Sequence, residues 1–229
     1  MQLFEVKSIL EKNGIHVSTG QLEQLDCYVK ILIEKNKSIN LISRKDIGHI
    51  WERHILHSIS LLFYLDLPDG IRILDLGTGG GLPGIPLKIL KPQIEMDLVD
   101  SIQKKVSAVQ EFINILKLKN ISALCKRAES LNKKYNLIVS RAVTDLPQLF
   151  KWSKNLLDTS EAFSIIEKVN NQTFNSPLII SYKGGKLDNE IKKLKLYSQN
   201  LLTFTINISI KGIKEGLLVD KKLILVKIK

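Results

Sequence analysis

An apolar run from Ile71 to Leu76 leads straight into Gly77-Thr78-Gly79-Gly80-Gly81-Leu82-Pro83-Gly84-Ile85-Pro86, and this stretch restricts the fold more tightly than any other. The run reads as a buried strand that stops where the glycines begin, since glycine tolerates positive φ angles and lets other groups approach the backbone closely. Prolines after the glycines suit the opening turn of a helix. Strand, glycine turn and helix in that order leave backbone N–H groups unpaired at the positive end of a helix dipole, a seat for a carboxylate or a phosphate.

Two ligand classes use such a turn. Gly79, Gly81 and Gly84 satisfy the dinucleotide pattern G-x-G-x-x-G if the frame is shifted, which would suit NAD. Unshifted, the pattern is Asp75-x-Gly77-x-Gly79, with an acid at the strand end that suits a ligand carrying an ammonium group beside its carboxylate. S-adenosylmethionine has both groups. Asp75 could instead cap the helix beyond the turn. A second strand-like run, Ile94 to Val99, ends in Asp100 at the distance where an acid accepts hydrogen bonds from ribose hydroxyls, which both cofactors contain.

With 229 residues the chain is long enough to bury one sizeable core. Its start lacks the features of a secretory signal, and no apolar run approaches the length of a membrane span. Cys27 and Cys125 lie far apart and form no metal or redox motif, so ordinary thiols in a reducing cytoplasm are expected, with no metal. The charge is uneven. Of 34 Lys and Arg against 23 Asp and Glu, residues 1–60 hold 8 and 7, leaving 26 and 16 for residues 61–229. An excess concentrated in the cofactor-binding part favours a polyanionic partner such as RNA, although a lysine-rich surface alone would give the same count.

The first sixty residues have helical periodicity. Leu3, Val6, Ile9 and Leu10 mark one helix, Ser18-Thr19 caps a second through Leu22, Leu25, Val29 and Leu32, and a third runs from Ile50 to Leu62. From Pro68 the pattern alternates. Strands are expected at Ile71–Leu76, Ile94–Val99, Ile121–Cys125, Leu137–Ser140 and Leu178–Tyr182, with helices at Ile85–Leu90, Ile102–Leu118 and Leu146–Leu157. Repeated βα units imply a parallel sheet covered on both faces. Leu201–Ile210 and Leu223–Ile228 should close it as an antiparallel hairpin. The expected organisation is a helical extension over residues 1–66 and a cofactor-binding unit over residues 67–229.

Several blocks together resemble one known family. They are Asn40-Leu41-Ile42-Ser43, Arg53-His54-Ile55-Leu56-His57-Ser58, Asp75 to Pro86, Leu98-Val99-Asp100-Ser101 with Lys104-Lys105, Ser140-Arg141-Ala142 and Lys183-Gly184. In order and spacing they are similar to the bacterial 16S ribosomal RNA guanine-N7 methyltransferases called RsmG or GidB. The resemblance implies a Rossmann-like class I S-adenosylmethionine-dependent methyltransferase fold, with a mostly parallel seven-stranded sheet. It also implies transfer of a methyl group to the guanine at position 527 of 16S ribosomal RNA, in the small ribosomal subunit or a precursor of it. Gly77, Leu82, Ala128, Glu129 and Arg141 would line the cofactor pocket, with Gly79 and Asp100 beside them. An NAD-dependent oxidoreductase and a noncatalytic RNA-binding protein are the alternatives.

Guanine N7 already carries an in-plane lone pair, so no catalytic base is expected and proximity should suffice. Arg141, at a strand end beside the glycines, could hold the methionine carboxylate or pair with Asp145. Lys104, Lys105, Lys183 and Lys186 follow strand ends on the crevice side and are candidates to grip phosphate. Trp152 and Tyr182 could stack on a base or belong to the core. A monomer is expected, in the cytoplasm. Two features depart from the family pattern: His57 stands where an Asp is usual, and residues 158–177 are longer than expected, with Ser164-Ile165-Ile166 a possible extra strand.

Overall fold

The computed structural model describes residues 1–198 and 200–228. In chain order its helices and strands are α1 (Leu3–Lys12), α2 (Thr19–Asn36), a 3-10 turn (Arg44–His49), a π-helical turn (Trp51–Leu56), α3 (His57–Ile59), α4 (Leu61–Tyr64), β1 (Leu65–Asp66), β2 (Arg72–Leu76), α5 (Gly84–Leu90), β3 (Glu95–Asp100), α6 (Gln103–Ile115) and β4 (Ile121–Cys125). There follow a 3-10 turn (Ala128–Ser130), β5 (Leu137–Arg141), α7 (Leu146–Ser153), a 3-10 turn (Lys154–Leu156), β6 (Ser164–Glu167), β7 (Thr173–Asn175), β8 (Leu178–Gly184), α8 (Asp188–Tyr197), β9 (Leu201–Asn207) and β10 (Lys221–Ile228).

Seven strands form the main sheet in the order β4-β3-β2-β5-β8-β10-β9. The first five are mutually parallel, and β10 runs antiparallel to both β8 and β9, so the expected closing hairpin is present. Side chains alternate across β2. Ile73 joins the core on the side of α2, α5 and α6, while Leu74 and Leu76 join the core under α7 and α8. Buried residues from α1, α2 and the 50–67 segment belong to the same core as α5 and α6, so the N-terminal helices are packed onto the sheet unit. Among the described residues no helix is long and apolar enough to cross a membrane, and no group of three or more His, Cys, Asp or Glu could hold a metal ion.

Two segments differ from expectation. The third helix is broken: a π-helical turn occupies Trp51–Leu56, and Ser60 Oγ donates to His57 O at 2.7 Å between α3 and α4. The 158–177 segment does contain a strand, but in a second sheet. There β6 lies between β1 and β7, with Ile165 fully buried and Phe174 stacked edge-on against Phe204 at 4.9 Å. Arg72 anchors the start of that segment through Asp158 at 2.6 Å.

Candidate active site

Strand order reverses at β2, whose neighbours β3 and β5 both run parallel to it but lead outward in opposite directions. Crevices in open α/β sheets form outside the carboxyl ends of strands at such a point. A cleft of about 610 Å³ opens there. All seven residues expected at the cofactor line it: Gly77, Gly79, Leu82, Asp100, Ala128, Glu129 and Arg141.

The glycine turn is built by hydrogen bonds to its neighbours. Gly77 N and Thr78 N both donate to Val99 O, at 2.8 and 2.9 Å, which carries the β2–β3 ladder past the end of the strand. Gly77 has φ 76°, and a Cβ on it would lie 2.3 Å from Val143 Cγ2, so glycine is required on both grounds. Asp100 receives Gly79 N at 3.1 Å on one oxygen and Ile102 N at 3.0 Å on the other, fixing its carboxylate between turn and α6. Tyr28 from α2 donates to Gly80 O at 2.8 Å, and Asn36 holds Leu41 N and Ile42 N at 2.8 and 3.0 Å. Leu41 and Ile42 therefore form a wall of the cleft that strand and helix patterning did not single out.

Asp75 does not face the ligand space. Fully buried, its Oδ2 accepts from Thr78 Oγ1 at 2.7 Å and from Gly84 N at 2.9 Å, so it clamps the turn to the start of α5. This corrects the reading of Asp75 as a partner for a ligand ammonium. Strand parity is the reason: its side chain points opposite to those of Leu74 and Leu76, under α5. Burial raises its carboxyl to about 6 despite the two hydrogen bonds.

Arg141 ends β5 and lies in the cleft wall. Its guanidinium makes no ion pair among the described residues; it reaches His54 O at 3.3 Å and His54 Nδ1 at 3.1 Å. The alternative pairing with Asp145 is not formed, since Asp145 caps α7 by accepting from Gln148 N at 2.9 Å. Because arginine only donates, His54 Nδ1 is the acceptor and the proton sits on Nε2, 3.5 Å from Asp46. Burial, with Arg141 alongside, pushes His54 down to about 4. Asp46 also binds Arg53, which thus has a carboxylate partner without help from position 57.

His57 is buried against Tyr182, with ring centroids 5.5 Å apart, and burial pushes it down to about 3. Its folded form binds fewer protons than the unfolded chain between pH 3 and 6.5, so its contribution to stability is whole above 6.5 and fades as pH falls. The loss amounts to roughly 5 kcal/mol at most across that window. Asp75 acts oppositely, favouring the fold below 3.8 and losing that effect as pH rises through about 6. We expect His57→Phe, which keeps the ring contact, to lower the midpoint of acid unfolding measured by circular dichroism; an unchanged midpoint would show that His57 does not drive acid unfolding.

The lysines divide. Lys105 lines the cleft mouth together with Lys126 and Arg127, whereas Lys104 and Lys186 are exposed and outside the lining. Lys183, expected at phosphate, is instead engaged inside the protein: its Nζ donates to Glu190 at 2.5 Å and to Thr144 O at 2.6 Å. Trp152 lines the cleft near Ala128, while Tyr182 is core, its hydroxyl donating to Ser58 O at 2.6 Å.

Numbered within the main sheet by chain order, its strands run 3-2-1-4-5-7-6, with the cleft at the switch point and a glycine turn beneath it. That architecture defines a class I S-adenosylmethionine-dependent methyltransferase fold. It is similar to the solved structure of a SAM-dependent methyltransferase from Aquifex aeolicus, with a TM-score of 0.51 at 14% identity, covering 80% of this chain and 94% of that one. The model of the family "rRNA small subunit methyltransferase G" matches residues 21–176. Proteins named ribosomal RNA small subunit methyltransferase G are similar over most of their length. The one from Cytophaga hutchinsonii is 39% identical over 188 residues, covering 81% of this chain and 85% of that protein. The one from Porphyromonas gingivalis is 41% identical over 183 residues, covering 80% and 79%. The chain belongs to the GidB family, the small subunit rRNA methyltransferase G proteins.

Proposed function

We propose that this chain transfers the methyl group of S-adenosylmethionine to N7 of a guanine in 16S ribosomal RNA, the guanine at position 527 by family resemblance. One observation carries the reading: in a chain of this family, the Arg141 guanidinium stands in the cleft wall beside the glycine turn and forms no ion pair among the described residues. A partly buried cation that no carboxylate touches is costly, and a ligand carboxylate relieves that cost. The donor set fits the cofactor: Arg141 would hold the methionine carboxylate, Gly77 and Gly79 let the backbone approach, and Asp100 would accept from ribose hydroxyls. The Ala128 and Glu129 backbone would read the adenine edge, and Leu82 would supply apolar contact. When bound, the sulfonium centre supplies an electrophilic methyl group.

The protein's own task is then orientation. Guanine N7 presents a lone pair without losing a proton, and holding two reactants in line lowers a barrier by about 7 to 11 kcal/mol. No residue in the cleft is needed as a base. His54, neutral above about pH 4, holds Arg141 in place by accepting from it. We expect the methyl-transfer rate to be flat from pH 6 to 8, and a limb in that range that vanishes in His54→Gln would contradict this.

The deep major groove of an RNA helix excludes side chains, so the target guanine must be unpaired or splayed out. Lys105, Lys126 and Arg127 at the cleft mouth, with exposed Lys104 and Lys186 further out, supply the charge that phosphates need. An rRNA substrate supports a cytoplasmic chain that acts on the small ribosomal subunit or a precursor of it. Labelled methyl transfer to small subunits tests the reading, with thermal shift by S-adenosylhomocysteine against NAD as its binding arm. Stabilisation by NAD alone would favour an oxidoreductase, and cofactor-free RNA binding without transfer would favour a noncatalytic binder.

A further inference from the structure

The loop from β5 to α7 forms one wall of the cleft, and it is held in an unfavourable shape. Ala142 has φ 57°, in the left-handed region that a residue with a Cβ occupies at a cost. Val143 follows, packed on Gly77 and 39% exposed in the cleft wall. Such a conformation persists only where the surroundings over-determine it. Among the described residues, the side chains from other elements that hydrogen-bond to residues 142–146 are those of Lys183 and Glu190. Lys183 Nζ donates to Thr144 O at 2.6 Å, and Glu190 Oε1 accepts from Leu146 N at 2.5 Å. The same Oε1 accepts from Lys183 Nζ at 2.5 Å, so β8, α8 and the start of α7 meet at one carboxylate oxygen. Both side chains are largely shielded, 14% and 20% exposed.

We infer that Lys183 and Glu190 are positioning residues for methyl transfer: through Thr144 and Leu146 their pair latches the Ala142–Val143 wall against the glycine turn and so sets where the acceptor base lies relative to the methyl group. The inference rests on the methyltransferase reading above. Charge-assisted bonds are roughly twice as strong as neutral ones, which suits a contact that must outweigh a strained residue. A phosphate could recruit Lys183 only by displacing Glu190, which would also uncap the first N–H of α7. Arg141 is fixed separately, by the β5 ladder and by His54, so the latch acts on the acceptor side of the cleft.

Steady-state methyl transfer to small ribosomal subunits, compared among wild type, Lys183→Ala, Glu190→Ala, Glu190→Gln and the double alanine variant, tests this. Misplacement by about 1 Å costs up to roughly 100-fold in rate, so each alanine variant should lose about 10-fold or more in kcat. KM for the subunit, its salt dependence and the affinity for S-adenosylhomocysteine should be unchanged. The double variant should be no slower than either single one, as for residues acting as a unit. Glu190→Gln, whose amide oxygen still accepts from Leu146, should keep more activity than Glu190→Ala. If an alanine variant melts early, Glu190→Gln carries the same kcat-only signature. The inference fails if Lys183→Ala raises KM and flattens the salt dependence while Glu190→Ala behaves as wild type, or if the variants are silent or additive. An inactive wild-type chain would instead sink the methyltransferase reading, and this inference with it.

Discussion

Replacing Arg141 by alanine should weaken S-adenosylhomocysteine binding about 30-fold or more, since truncating one member of a desolvated charge pair costs about 2–5 kcal/mol. The guanidinium lies between the glycine turn and His54 and, among the described residues, bonds only to His54, at 3.3 and 3.1 Å, so its removal breaks no ion pair there. The fold should therefore survive while the ligand loses its counter-ion. Arg141→Lys retains charge but not the planar fork, and its affinity should fall between the two. Arg141 is also one of the causes of the low His54 value, so the His54 titration should move upward in Arg141→Ala. Calorimetry with S-adenosylhomocysteine and an NMR titration of His54 read the two effects; unaltered affinity in Arg141→Ala would remove the carboxylate from Arg141.

The second large effect concerns stability at the same turn. A Cβ on Gly84 would lie 2.2 Å from Leu98 Cδ2, 2.8 Å from Asp75 Oδ2 and 3.1 Å from Met96 Sδ, and Gly84 N is the donor that Asp75 captures. Helix α5 sits this close to β2 and β3 because no side chain intervenes. Gly84→Val should cost about 3 kcal/mol by overpacking, and a chain of this size loses roughly 2–4 °C in melting temperature per kcal/mol. Gly79→Ala is a useful contrast. Only Leu41 O, at 3.9 Å, would face its Cβ, so the expected cost is the left-handed strain at φ 59°, about 1–2 kcal/mol. Equal melting temperatures for the two variants would refute the packing account of Gly84.

Much of this architecture is written in local pattern. The run from Ile71 to Leu76, the glycines after it and the acid at Asp100 place the cleft, because strand ends and glycine turns are set by neighbours in sequence. All seven strands of the main sheet fall where alternation and apolar runs place them. The cleft residues carried by the family resemblance gather at one sheet edge. What escapes the sequence depends on remote partners. The pairing of Leu65–Asp66 with Ile166–Glu167 joins segments about a hundred residues apart, and neither run is long enough to signal its mate. The π-helical turn at Trp51–Leu56 has the same apolar spacing as an ordinary helix. Lys183 has the composition of a phosphate ligand, and only the arrival of Glu190 from α8 turns it inward. Asp75 was legible in part: its place between two residues of the α7-side core fixes the opposite face, yet an acid before glycines invites a ligand.

The most direct test uses small ribosomal subunits from a strain lacking this chain, incubated with the purified protein and labelled S-adenosylmethionine, with the modified nucleoside identified and mapped by mass spectrometry. The account predicts one 7-methylguanosine in 16S RNA, at the position its family resemblance names, absent before incubation and much reduced with Arg141→Ala at limiting S-adenosylmethionine. Methyl groups on another atom or another base, or none with a chain that binds S-adenosylhomocysteine, would contradict it.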